Sequence, residues 1–280
     1  MISGELGVGS LFRHFPRQIA TTWFLVLIEN LLLALIPLFI GRAIDALLIG
    51  EQRALIEVIS VMGALVLVAV TRRVYDTRAY GSMRVQFGAE FMERNRESPV
   101  SETNARLDMS REMVDFLEEH VPELLTALMQ IIVSIVLLWS FGWPLGISAV
   151  TMIFVSTVVY ALFHRTLFRL NGRLNARKER QVHVLESRQH GSLMSHLISL
   201  RKEEVRLSDI DALLYSLIFI GMFAFVLINL WFASLIPAIT AGMVFTILSY
   251  SWALVDAGIA LPLTLQQWTR LSEIKHRLNN

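Results

Sequence analysis

Basic residues are confined to a few blocks of this chain, and the blocks alternate with apolar stretches long enough to cross a bilayer. Lys and Arg occur at 13 and 17, through 72–111, through 165–206 and at 270–277; outside those blocks there are only Arg42 and Arg53. Loops on the cytoplasmic side of membrane proteins carry an excess of Lys and Arg. Six crossings with both termini inside put 23 of the 25 basic residues in the cytoplasm. The outer turns at 140–144 and 235–242 then carry none. A shift of one span would put most of this charge outside. The pattern therefore predicts a multi-pass membrane protein in contact with lipid, with cytoplasmic N and C termini; a bacterial cytoplasmic (inner) membrane is the expected location.

Composition agrees. The chain is 54% hydrophobic, against ~45–50% in soluble domains. It has no cysteine, so disulfides and thiolate metal sites are excluded. The first 18 residues are not a secretory signal, because they lack an apolar core of ~7–15 residues before a cleavage site. Ser10–Gln18 instead sets Leu11, Phe12, Phe15 and Ile19 against Arg13, His14 and Arg17. Residues 1–18 are accordingly expected as an amphipathic helix in the inner interface.

The expected fold is all-α: one six-helix transmembrane domain over 1–280, with helices at 19–49, 54–97, 108–140, 144–190, 209–235 and 241–268. Two of these, 54–97 and 144–190, outlast their apolar part. A helix over 54–97 would be ~65 Å long, twice the ~30 Å hydrocarbon thickness, so its basic end must project as a stalk. Ser98-Pro99 resembles a helix start. Phe141-Gly142-Trp143-Pro144 and Ile236-Pro237-Ala238 read as tight outer turns. Gly191–Ser208 reads as a short inner connection.

Six spans, short outer turns, helical stalks and an interfacial N-terminal helix together resemble the transmembrane domain of ABC exporters of the type IV, six-helix class. Ile36-Pro37-Leu38-Phe39-Ile40-Gly41-Arg42-Ala43-Ile44-Asp45 is similar to the end of that family's first span. Ala105-Arg106-Leu107-Asp108 through Phe116 is similar to the lead into its third helix, and Pro262-Leu263, Gln266 and Leu271–Leu278 to the end of its sixth. The resemblance covers nearly the whole chain. It implies a homodimer around a central cavity that alternates between inward- and outward-facing states. It also implies coupling helices at the two inner loop tips, here Ser98, Pro99 and Glu102, and His190 and Ser195, which would dock on ATPase subunits. The second inner loop is shorter than is usual for the family. The chain ends at Asn280, where an ATPase domain would follow. It has no G-x-x-x-x-G-K-[ST] loop to cradle a phosphate. The expectation is a non-enzymatic chain without a cofactor of its own, using ATP only through a separate nucleotide-binding ATPase subunit.

An ionisable group inside a span is costly and marks a functional site by default. Glu29, beside Asn30 in the first span, and Asp256, in the sixth, fall at comparable depth. They are candidates for a substrate or proton pathway, against the plainer reading of structural acids paired with a neighbour. Asn229 in the fifth span is a weaker candidate, and interhelical packing is the plainer reading. Asp45 is expected to pair with Arg42 within its own helix. The arginine stalks interleave with acids and adjoin spans, so anionic headgroups explain them better than nucleic acid. No metal-ligand spacing stands out.

Three functions fit. The leading one is a permease subunit that moves a hydrophobic or amphipathic substrate by alternating access, powered by a separate ATPase. The second is an ATPase-independent homodimer coupled to protons or ions through Glu29 and Asp256. The third is a non-transporting membrane scaffold or regulatory subunit. A fragment of a full exporter would also read this way.

Overall fold

The computed structural model describes residues 8–94, 107, 111–186 and 190–259. Its described elements are helices: α1 (Val8–His14), α2 (Pro16–Leu48), α3 (Arg53–Arg94), α4 (Arg111–Phe141), α5 (Trp143–Glu186), α6 (His190–Ser234) and α7 (Ala241–Ile259). Six of them, α2 to α7, contain an apolar window long enough to cross a membrane. The apolar window of α3 buries none of its residues within the chain. Leu67, Val66 and Ile59 point outward there, as a lipid-facing helix requires. The protein is therefore an all-α, six-span membrane protein.

Helix boundaries follow local chemistry. Pro16 opens α2, where its missing N–H is no loss. Gly50 ends the helix with φ +84°, a conformation that costs a residue with a Cβ about 1–2 kcal/mol. The stalks expected past the apolar parts are helical. α3 has 42 residues and α5 has 44, each more than ~60 Å long. The expected first inner loop tip at Ser98, Pro99 and Glu102, and the tail after residue 259, lie outside the described residues.

Two boundaries differ. The N-terminal helix, expected to Gln18, ends at His14, and α2 begins at Pro16 rather than at residue 19. Residues 191–208, expected as a connection, are helical and belong to the first turns of α6. Gly191 reads as a break, yet a lone glycine near a helix start costs only about 1 kcal/mol. Leu193 through Arg206 are mostly good helix formers without proline. His190 and Ser195 thus lie on the opening turns of a 45-residue helix rather than on a loop.

The chain divides into two compact units, residues 147–229 and the remainder. In the smaller unit, Arg177 on α5 donates through Nη2 to Glu203 Oε1 on α6 at 3.2 Å, and Glu203 is buried. Ser148 Oγ donates to Asn229 Oδ1, joining the apolar parts of the same two helices.

In the larger unit, α2 packs against α3 and α4. A cluster of buried side chains fills the basic end: Leu11 and Ile19, Tyr80, Met83 and Phe87 of α3, and Met113, Val114 and Leu117 of α4. Leu11 of α1 is fully buried while Arg13 and His14 are exposed, so the amphipathic reading of this segment holds. Phe12 meets Trp23 edge to face at 5.1 Å. At the opposite end, where the short turns lie, α2 and α7 approach so closely that Gly41 and Gly242 leave no room for a Cβ. Asp45 accepts from Gly242 N at 2.8 Å and from Thr240 Oγ1 at 2.6 Å. Thr240 Oγ1 in turn accepts from Met243 N at 3.2 Å. Asp45 thus caps the N-terminus of α7, satisfying an amide that a helix start leaves open. The expected pair with Arg42 is not formed; the Arg42 guanidinium sits 5.8 Å from the Phe39 ring. Pro37 disrupts the ladder of α2. α7 bonds to α2 around the proline: the Tyr250 hydroxyl donates to Ala34 O at 2.8 Å, and the Thr246 hydroxyl is shared between Gly242 O (2.8 Å) and Pro37 O (3.3 Å).

Candidate functional site

Four helices of the larger unit enclose an open cavity of about 780 Å³. α2 contributes Leu33, and α3 contributes Arg72 and Arg73. α4 supplies Glu118, Glu119, Pro122, Glu123, Thr126, Ala127 and Gln130, and α7 supplies Ala253, Asp256 and Ala257. The α4 side is a stripe at helical spacing: Glu119, Glu123, Thr126 and Gln130 follow one another by four, three and four positions. The stripe grades from carboxylate to hydroxyl to amide as it enters the apolar part of the helix. Opposite it, the small residues Ala253 and Ala257 flank Asp256 and leave the space open.

The charges on the wall are partly engaged. Arg72 Nη1 donates to Glu29 Oε2 at 2.7 Å, and Arg72 Nε to Asp76 Oδ2 at 3.2 Å. One guanidinium therefore serves two acids, and Asp76 is only 5% exposed. Arg84 bridges Asp115 Oδ1, at 2.6 Å, and Glu118 Oε2. His120 Nδ1 lies 3.2 Å from Glu123 Oε2. Glu119 and Asp256 are exposed to the cavity.

The residues singled out from sequence separate into different roles. Asp256 is on the cavity wall. Glu29 is half-buried and paired with Arg72, which itself lines the cavity. Asn30 is buried and donates through Nδ2 to Val26 O of its own helix at 2.8 Å. Asn229 is buried in the smaller unit, where it accepts from Ser148. Ser195 and His190 lie on the first turns of α6. Sequence reasoning did not single out Glu118, Glu119, Glu123, Thr126 or Gln130 as site residues. The four-three-four spacing running into an apolar span was the available signal. Among the described residues, no group of His, Asp or Glu is arranged to hold a metal ion.

The comparisons agree with this architecture. No curated protein matches the chain. Residues 10–242, from α1 into the first turn of α7, match the family model described as the ABC transporter transmembrane region. Members of such a family form the membrane part of transporters that generally work with nucleotide-binding ATPase partners in the bilayer. By that match over most of its length, this chain belongs to the ABC transporter transmembrane family.

Proposed function

We propose that the chain is the permease subunit of a transporter that moves a hydrophobic or amphipathic substrate by alternating access, driven by a separately encoded ATPase. The observation that carries this reading is the open 780 Å³ cavity, whose wall combines apolar groups with carboxylates and arginines. Its volume suits a small organic molecule. Leu33, Ala127, Ala253 and Ala257 would shelter an apolar body, and the excess of carboxylates over arginines favours a cationic group at the basic end. The chain acts as a homodimer in the cytoplasmic membrane of a bacterium, with both termini inside. It is not itself an enzyme: it has no phosphate loop, and ATP is used only by the partner.

A second reading, coupling to protons or another ion, is favoured by one feature: Asp256 faces the cavity at membrane depth. Mild-detergent purification of the native chain, with identification of co-purifying proteins and an ATPase assay, separates the two. A stoichiometric nucleotide-binding partner with substrate-stimulated ATPase activity supports the first. A clean homodimer whose transport collapses with an uncoupler and with Asp256→Asn refutes it in favour of the second. A stable complex that transports nothing refutes both and leaves a scaffold.

A further inference from the structure

The wall of the cavity contains a break in helical register. Phe116–His120 form a π turn inside α4, with Val121 N bonded to Phe116 O instead of Leu117 O. The carbonyl of Leu117 loses its α partner by this shift. Its π partner would be residue 122, which is proline and has no N–H. The orphaned carbonyl is instead met by the hydroxyl of Tyr80, which donates to it at 3.1 Å. Tyr80 is fully buried, so no water can take its place. In a regular α-helix, Val121 N would satisfy Leu117 O, and Pro122 would orphan Glu118 O instead. The bond from Tyr80 to Leu117 O thus belongs to the π register alone.

We infer that Tyr80 is a positioning residue for the cavity: by holding the π turn it sets which side chains of α4 face the substrate. The π turn places Glu118 against Arg84 and Glu119 on the open wall. Reversion to an α-helix removes one residue's worth of bulge. With Pro122 and the residues after it held by packing, the rotation grows through the turn and reaches one place, about 100°, at Phe116 and the residues before it. Glu118 and Glu119 turn by part of a place, Asp115 leaves Arg84 for the position of the buried Val114, and Phe116 takes the more open position of Asp115. The carboxylates that balance Arg84 beside the wall are thereby displaced. π bulges are recurrent at functional sites for this kind of reason.

The chain has no native cysteine, which makes the test direct. Single variants Asp115→Cys and Phe116→Cys, in the whole chain, are reacted with a cationic methanethiosulfonate reagent, with and without Tyr80→Phe. Loss of one buried hydrogen bond shifts the balance between registers by about tenfold. The expected result is reciprocal: reactivity at 116 rises, by up to about tenfold, while reactivity at 115 falls. General loosening raises both, and a merely structural tyrosine leaves both unchanged. Either of those patterns, or any in which the two positions move together, overturns the inference. The functional meaning rests on the cavity being the substrate path. The labelling needs no transport, so a failed transport assay and a failed labelling pattern are separate results.

Discussion

The crossing of α2 and α7 gives the sharpest quantitative expectation. A Cβ at residue 242 would stand 1.9 Å from the Gly41 carbonyl oxygen and 2.6 Å from Asp45 Oδ2. Neither neighbour is the free end of a flexible side chain: one is backbone, and the other is held by Thr240 and by the amide of residue 242 itself. Gly242→Ala must therefore push the helices apart. Overpacking of this kind costs about 1–3 kcal/mol. Loss of the Asp45 cap adds about 1 kcal/mol. The bonds from Tyr250 to Ala34 and from Thr246 to Pro37 lie on the same seam and weaken with it. A total of about 2–4 kcal/mol lowers the thermal midpoint in detergent by roughly 5–10 °C. Gly63→Ala is the control: nothing lies within 4 Å of a Cβ there, in mid-α3. That change should raise stability by about 0.5–1 kcal/mol through helix propensity alone. If Gly242→Ala melts within about 2 °C of the native protein, a shift too small for the cost worked above, the close approach of these helices is refuted.

Three further outcomes are expected. Arg72→Ala should destabilise by about 2–4 kcal/mol and Glu29→Gln by only about 1, because the arginine also neutralises the buried Asp76; thermal melts in detergent give the ranking, and the reverse order refutes it. A double-mutant cycle of Ser148→Ala and Asn229→Ala should show a coupling of about 0.6 kcal/mol, the usual worth of a hydrogen bond between membrane helices; zero coupling would remove this link between α5 and α6. Cysteines at Gly142 and Pro237 should label from outside intact cells, and those at Arg94 and Arg201 only after the membrane is opened; the opposite pattern would invert the proposed orientation.

The spans were legible because each is a local property: an apolar run with charge at one end identifies itself without reference to the rest of the chain. The stalks were legible for the same reason, since helical periodicity continues past residues 70 and 164. Pairings between distant residues were not. Asp45 has a basic neighbour one helical turn away and an amide 197 residues away, and it binds the distant one. Local spacing cannot weigh an exposed ion pair, worth ~0.3–0.5 kcal/mol, against a helix cap worth ~1 kcal/mol that exists only after folding. The π turn failed differently. Pro122 stands in plain view inside the expected helix 108–140, but its effect depends on which side chain reaches the carbonyl it orphans. That side chain, Tyr80, is on another helix.

Depth decides between the two candidate carboxylates. The stretch of α2 from Glu29 to its end at Leu48 is as long as the stretch of α3 from its start at Arg53 to Arg72. At ~1.5 Å per residue both side chains stand about 29 Å from the turn that joins these helices. Equal depth is what lets them meet at 2.7 Å. It also puts the pair a full hydrocarbon thickness, about 30 Å, from that turn. Glu29 is therefore an acid at the basic edge of the apolar slab, paired with an arginine of the same level, and little of the cost of a charge in hydrocarbon falls on it. Asp256 is as far along α7 from Ala241 as Thr126 is along α4 from Phe141. Both are about 23 Å from the turn end, inside the slab. Gln130, one helical turn nearer that end, is about 17 Å from it. Thr126 of the α4 stripe and the carboxylate of α7 thus face one cavity at one depth. That depth favours Asp256 over Glu29 as the acid to test first.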